Sequence, residues 1–201
     1  MKIITGASGG IGSYLMENLL DTIPFHHGGD FNQLIKDHNL SEITLINCAG
    51  INYSSFAHKA SFGYWAGCVH INLIKTFEKI CFILPLMREQ KYGRIINLSS
   101  VVANRGVMGT SAYAASKAGL NGMIKSIAME NARFGITINN INLGYFNCGI
   151  IRDIPENLMP GLLKEIPMNR LGDPAEIVKC IEYIESAEYL TGACIDLDGG
   201  L

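Results

Sequence analysis

Three short runs constrain the fold of this chain more than anything else in it: Ile43-Thr44-Leu45-Ile46, Arg94-Ile95-Ile96-Asn97-Leu98 and residues 136–142. Each is rich in isoleucine or leucine, and none carries the charged outer face of a half-exposed strand. A strand written this way has to be buried on both faces, as parallel strands are when their connections lay helices over each side of a sheet. Helical periodicity fills the intervals, over 13–20, 31–38, 64–89, 111–133 and 175–188. Lys2-Ile3-Ile4 and Cys194-Ile195-Asp196-Leu197 read as the first and last strands. The expectation is an α/β fold, a doubly wound parallel sheet in one domain over residues 1–201. With 201 residues, 48% of them hydrophobic, the chain can bury one sizeable core.

The boundaries carry their own signals. Residues 22–30, with Pro24, Gly28 and Gly29, read as a loop whose His26 and His27 lie at the surface. Asp30 is placed to cap the short helix that follows. Gly93 is expected to end the long helix, Ser111 to cap the next one and Gly135 to stop it. Pro174 opens the last helix. Residues 145–169 are long, proline-dotted and mixed, the composition of a lid over a site.

Several classes of function are excluded. A net charge of -2 and a pI near 6.2, with no Lys/Arg-rich run, argue against nucleic acid. No apolar run approaches the ~20 residues of a membrane span. The six cysteines are scattered without Cys-x-x-Cys pairs, so they are expected as free thiols in the cytoplasm, with no metal site. Met1 leads straight into a strand, leaving no room for a signal peptide.

Two constellations carry chemistry. Thr5-Gly6-Ala7-Ser8-Gly9-Gly10-Ile11-Gly12 joins the first strand to the first helix. Glycines there let the backbone approach a pyrophosphate, and the helix N-terminus offers free N–H groups and a positive dipole end. Ser100 closes a buried strand, and thirteen residues on Tyr113 and Lys117 stand four apart on one helix face. An ammonium beside a phenol favours the phenolate, and a strand-end hydroxyl can help polarise a carbonyl. Ser99 is the rival for that hydroxyl, and the offset to Tyr113 favours Ser100.

Taken together these residues resemble the short-chain dehydrogenase/reductase family, in the subgroup of ketoacyl-carrier-protein reductases. The resemblance also takes in Asn47-Cys48-Ala49-Gly50, Asn72, Gly192 and Asp198-Gly199-Gly200. It implies a Rossmann-like fold and NAD or NADP as cofactor. Gly6, Ser8, Gly10, Ile11, Gly12, Asn47, Ala49, Gly50, Tyr113 and Lys117 would hold that cofactor. The substrate would be a small carbonyl or secondary alcohol, and the assembly a homodimer or homotetramer. Tyr113 would exchange a proton with the substrate oxygen, Lys117 would lower its pKa and hold the nicotinamide ribose, and Ser100 would bond the carbonyl. Asn72 would anchor a water relay to Lys117.

The resemblance has a gap. Only 34 residues separate Gly12 from Asn47, too few for the family's crossovers at ~30 residues per βαβ unit. The second and third strands and the helix between them are expected to be missing or reduced to residues 24–30, which would cover the exposed edge unless a partner chain does. No residue there matches the family's contact to the adenosine ribose, and Asp30 is the candidate stand-in for its adenine-contacting aspartate. Cys148 stands where a threonine commonly meets the nicotinamide. Two functions stay open: a compact carbonyl reductase or dehydrogenase, or a relative that does no hydride chemistry and serves as a binding subunit or a cofactor-free catalyst.

Overall fold

The computed structural model describes residues 1–26, 28–38, 40–149, 151 and 156–201. Its strands are β1 (Lys2–Thr5), β2 (Thr22–Phe25), β3 (Thr44–Asn47), β4 (Gly93–Ser100), β5 (Ile136–Leu143) and β6 (Cys194–Leu197). They form one parallel sheet in the order β2-β1-β3-β4-β5-β6. The helices are α1 (Gly10–Asn18), α2 (Phe31–Asp37), α3 (Phe62–Val69), α4 (Lys75–Gln90), α5 (Ser111–Asn131), α6 (Met159–Glu165) and α7 (Pro174–Ser186). Every residue of β3, β4 and β5 is buried, the asparagines and serines included.

Two cores result. On one face Phe31 of α2, Ile80 and Ile83 of α4 and Ile124 and Ile127 of α5 pack on Ile3, Leu45, Ile95 and Ile138. On the other, Leu15 of α1 and Ile177, Ile181 and Ile184 of α7 pack on Ile4, Ile46, Ile96 and Ile141. From β1 the chain turns outward to β2, then crosses back to β3 on the opposite side of β1. The carboxyl ends of strands at such a reversal form a crevice, where ligands of open α/β sheets bind.

The region before β3 corrects the sequence reading. Thr22–Phe25 is not loop but strand, paired along the whole of β1 from Lys2↔Thr22 to Thr5↔Phe25. A second-position strand is therefore present, and it covers the edge of β1 with the chain's own backbone. Pro24 disguised it: an edge strand has no partner on one side, so it tolerates a residue without an N–H. Asp30 caps α2, accepting from Asn32 N–H at 2.8 Å.

Residues 62–90 are helical throughout, but α3 and α4 are joined by a π-helical turn, His70–Ile74, which holds Asn72. Lys91, in the left-handed conformation, ends this run (φ 54°), and Gly93 already belongs to β4. α5 passes through a 3-10 turn, Ala132–Phe134, to Gly135 (φ 73°), as expected. The expected lid contains α6, while residues 150 and 152–155 lie outside the described set.

Buried asparagines tie the central strands together. Thr5, Asn47, Asn97 and Asn140 occupy matching register positions on β1, β3, β4 and β5. Asn47 Nδ2 donates to Asn97 Oδ1 at 2.9 Å, and Asn97 Nδ2 to Asn140 Oδ1 at 2.9 Å. Asn97→Ala strands both neighbours' amides without water, and should cost about 2–5 kcal/mol. Ile96→Val, next to it, should cost about 1 kcal/mol. Urea unfolding tests this, and equal losses for the two variants would show that the ladder does not hold the sheet.

Candidate active site

Ser100 is the last residue of β4, and the chain leaves it through a 3-10 turn, Val101–Ala103. α5 begins at Ser111, so Tyr113 falls in its first turn. The residue before the helix is Thr110, and Ser111 does not cap it; its Oγ instead accepts from the Trp65 indole at 3.2 Å. The Ser100 hydroxyl hydrogen-bonds the Tyr113 phenol and accepts from Val102 N–H at 3.4 Å, so it serves both as site hydroxyl and as strand-end cap. Ser99, the rival, turns its Oγ to the Lys117 carbonyl at 3.4 Å.

One turn beyond Tyr113, the Lys117 Nζ lies 5.5 Å from the phenol ring centroid and donates to the Leu98 carbonyl at 2.7 Å. Lys117 is only 5% exposed. Burial favours its neutral form and lowers its pKa to about 8. Burial acts on Tyr113 in the opposite sense, raising the phenol to about 12, against the Ser100 hydrogen bond, which lowers it. The expected lowering of the phenol by Lys117 is not what the structure gives: burial dominates, the opposing effect comes from Ser100, and the ammonium is turned to a backbone carbonyl. Burial likewise pushes the Cys48 thiol up to about 12, opposed by Lys117.

Asn72 is 1% exposed and its amide is fully committed. Ile51 N–H donates to its Oδ1 at 2.8 Å, and its Nδ2 donates to the Ile51 carbonyl at 2.9 Å and to Ser116 Oγ at 3.1 Å. Ser116 Oγ in turn donates to the Tyr113 carbonyl at 2.7 Å. Asn72 thus clasps the loop after β3 to the first turns of α5. A Cβ on Gly50 would lie 3.3 Å from Asn72 Oδ1 and 3.7 Å from Lys117 Nζ.

The glycine turn is tight. Gly6 has φ +67°, and a Cβ on Gly12 would stand 2.1 Å from the Gly6 carbonyl oxygen. Ser8, Gly9 and Gly10 are exposed, and Gly9 precedes α1 without any side-chain cap, leaving the first N–H groups of the helix without a side-chain acceptor. Ala49 N–H donates to Thr5 Oγ1 at 3.3 Å, joining the end of β3 to β1. Asn47 points its side chain into the ladder beneath the sheet ends. A cavity of about 730 Å³ opens over these elements, lined by Ile11, Gly50, Ser100, Tyr113 and Lys117 and walled by Val102, Val107, Leu143, Tyr145 and Phe146. Cys48 and Cys148 also line it. Gly6, Ser8, Gly10, Gly12, Asn47, Ala49 and Asn72 do not; they shape the turns around it.

A family model for short chain dehydrogenase matches residues 34–158. The chain belongs to this family. The matched stretch holds Asn72, Ser100, Tyr113 and Lys117, and the glycine turn lies before it. Acetoacetyl-CoA reductase of Rhizobium meliloti is 36% identical over 159 residues, covering 78% of this chain and 66% of that protein. The 3-oxoacyl-[acyl-carrier-protein] reductase FabG of Pseudomonas aeruginosa is 34% identical over 169 residues, 83% of this chain and 68% of that one. The match thus spans about two thirds of these relatives' length. Among solved structures, the 3-oxoacyl-[acyl-carrier protein] reductase of Brucella melitensis superposes with a TM-score of 0.89 at 26% identity, over 100% of this chain and 90% of its own. The aldohexose dehydrogenase of Thermoplasma acidophilum gives 0.90 at 27% identity, over 100% and 93%. These likenesses establish the Rossmann-like fold.

Ile51, Ser116 and the Leu98 carbonyl were not legible in the sequence as site groups. Their parts are played by backbone atoms or by a serine at one of the unspecified positions between Tyr113 and Lys117. The buried lysine has a measurable signature. Unfolded, Lys117 would titrate near 10.4, so between about pH 8 and that value the unfolded chain binds the extra proton and stability rises with pH. Tyr113 does the reverse: its phenol is raised, so stability falls above about pH 10. Between pH 7 and 9 the wild type should gain about 1 kcal/mol over Lys117→Met in denaturant titrations. Parallel curves for the two proteins would contradict the buried ammonium.

Proposed function

We propose that this chain is an NAD(P)-dependent oxidoreductase that reduces a carbonyl to a secondary alcohol at Ser100, Tyr113, Lys117 and Asn72. The observation that carries the reading is the Ser100–Tyr113 hydroxyl pair, set in the wall of an apolar cavity with a buried lysine one turn below. The relatives' names point to a 3-oxoacyl thioester as substrate, and the largely apolar cavity suits an acyl group.

The residues present fit the reactive half of a dinucleotide. The uncapped N-terminus of α1, with exposed Gly9 and Gly10, suits a pyrophosphate, and Lys117 and Gly50 line the cavity beside Tyr113. When bound, the nicotinamide supplies the hydride to the carbonyl carbon. Tyr113 gives its proton to the carbonyl oxygen as charge develops there, and the Ser100 hydroxyl donates a hydrogen bond to the same oxygen. A phenol raised to about 12 is protonated at neutral pH, the form that reduction requires. Lys117 places a positive charge beside the phenolate left behind, and Asn72 keeps Ile51 and Ser116 in position around it.

A second reading rests on the shortened first half. One strand, β2, stands outside β1, and Asp30 spends its carboxylate on capping α2. A chain with a reduced adenosine site would keep the pocket without hydride chemistry. Calorimetric titration with NADH and NADPH separates the two: the oxidoreductase binds one of them well below millimolar, and no binding by folded protein rejects it. With acetoacetyl-CoA and the nucleotide that binds, Tyr113→Phe should lower kcat by about 10²- to 10⁴-fold and leave nucleotide affinity unchanged. Undiminished turnover would remove Tyr113 from its role.

Assembly into a dimer or tetramer is part of the proposal, and a reducing compartment suits six cysteines that form no disulfide among the described residues. α4 and α5 run side by side, tied by Arg88 to the Glu130 carbonyl, and expose Ile74 just before α4, Phe77 on it and Met129 on α5. Apolar side chains in such numbers on neighbouring helices suit pairing with a second copy. Sedimentation should show an oligomer that Phe77→Lys splits, and a monomeric wild type would overturn the assignment.

A further inference from the structure

The asparagine ladder does not end at the sheet. Asn140 Nδ2 donates to Asn121 Oδ1 on α5 at 2.8 Å, and Asn121 Nδ2 donates to Asn104 Oδ1 at 3.4 Å. Asn140 also hydrogen-bonds the Cys194 thiol on β6. The amides of Asn47, Asn97, Asn140 and Asn121 all point the same way, each donating to the next, an arrangement in which successive bonds strengthen one another. Asn121 stands four residues after Lys117 and eight after Tyr113, on the same row of the helix.

That row matters because the apolar seat of α5 on the sheet, Ile124 and Ile127, does not specify direction. A hydrogen bond specifies distance and angle. Asn97 adjoins Leu98 on β4, and the Leu98 carbonyl receives the Lys117 ammonium at 2.7 Å. Strand and helix are thus joined at three points: through the Lys117 ammonium to the Leu98 carbonyl, through Ser99 Oγ to the Lys117 carbonyl, and through Asn121 and Asn140 to Asn97. The asparagine joint lies one turn further along α5 and, with the other two, bears on the height and rotation of the helix.

We propose that Asn140 and Asn121 are positioning residues for Tyr113 and Lys117, seating α5 on the sheet through a side-chain amide bond. The proposal rests on the oxidoreductase reading for its kinetic consequence, but the seating itself has a readout that needs no turnover.

Three variants test it: Asn121→Leu and Asn140→Leu, which remove the bond, and Asn121→Asp, which keeps an acceptor for Asn140 Nδ2. With nucleotide and acetoacetyl-CoA, both leucine variants should lose about 10- to 100-fold in kcat, because the reacting groups are displaced. Asn121→Asp should recover most of that loss. Hydrogen exchange over residues 113–117 should quicken about tenfold in the leucine variants relative to α7, and return toward wild type in Asn121→Asp. The half-buried Asn121 keeps the test usable should Asn140→Leu fail to fold. Asn121→Leu with wild-type kcat and wild-type exchange overturns the proposal, and so does an aspartate variant as impaired as the leucine one. A wild type without turnover rejects the oxidoreductase reading alone, and the exchange comparison then decides the seating.

Discussion

Covering β3, β4 and β5 on both faces shuts every side chain on them away from water. The fold could have met that constraint with apolar residues alone, yet Asn47, Asn97, Asn139, Asn140 and Asn142 stand in these strands, none more than 4% exposed. A buried amide without partners costs several kcal/mol, so each must be answered by a neighbour. Asn139 donates to the Leu190 carbonyl at 2.8 Å and accepts from Ala193 N–H at 3.0 Å, fixing the turn before β6. Asn142 donates to Asp196 at 2.7 Å, while its Oδ1 is left without a partner. The ladder through Asn47, Asn97 and Asn140 answers the rest. Such bonds specify register in a way that isoleucine against isoleucine cannot, and register decides which groups arrive at the strand ends.

The same dryness governs the site. Lys117 is buried against a carbonyl rather than a carboxylate, so nothing there offsets the loss of hydration with a full opposite charge. The neutral and charged forms are brought closer in energy than in water, and the neighbouring phenol is held protonated by the same desolvation. Position and burial, more than any single ion pair, set the proton chemistry of the pocket.

Much of this was legible in the sequence. Isoleucine-rich segments separated by helical intervals gave away the parallel sheet, because strands joined through helices run parallel and are covered on both faces. Tyr113 and Lys117 were legible because helix periodicity alone brings them together, and Ser100 because its strand ends where the helix begins. β2 was hidden because Pro24 is a loop signal everywhere except at an edge. The capping role given to Ser111 fell to no side chain, since Trp65, distant in sequence, claims that hydroxyl. The clasp of Asn72 on Ile51 was out of reach for a different reason: it uses backbone groups, which every residue possesses, and only the π-helical turn swings the amide toward them.

Pro24 also bears on what this sheet can join. A strand edge grows by offering a regular row of donors and acceptors to an incoming segment. β2 is only four residues long, and one of them has no donor to offer at all. At this rim the strand therefore finishes the sheet as well as widening it. A chain that exposes an interior-type strand at such a rim invites stacking of one molecule on the next without limit, and Pro24 works against that on the β2 side.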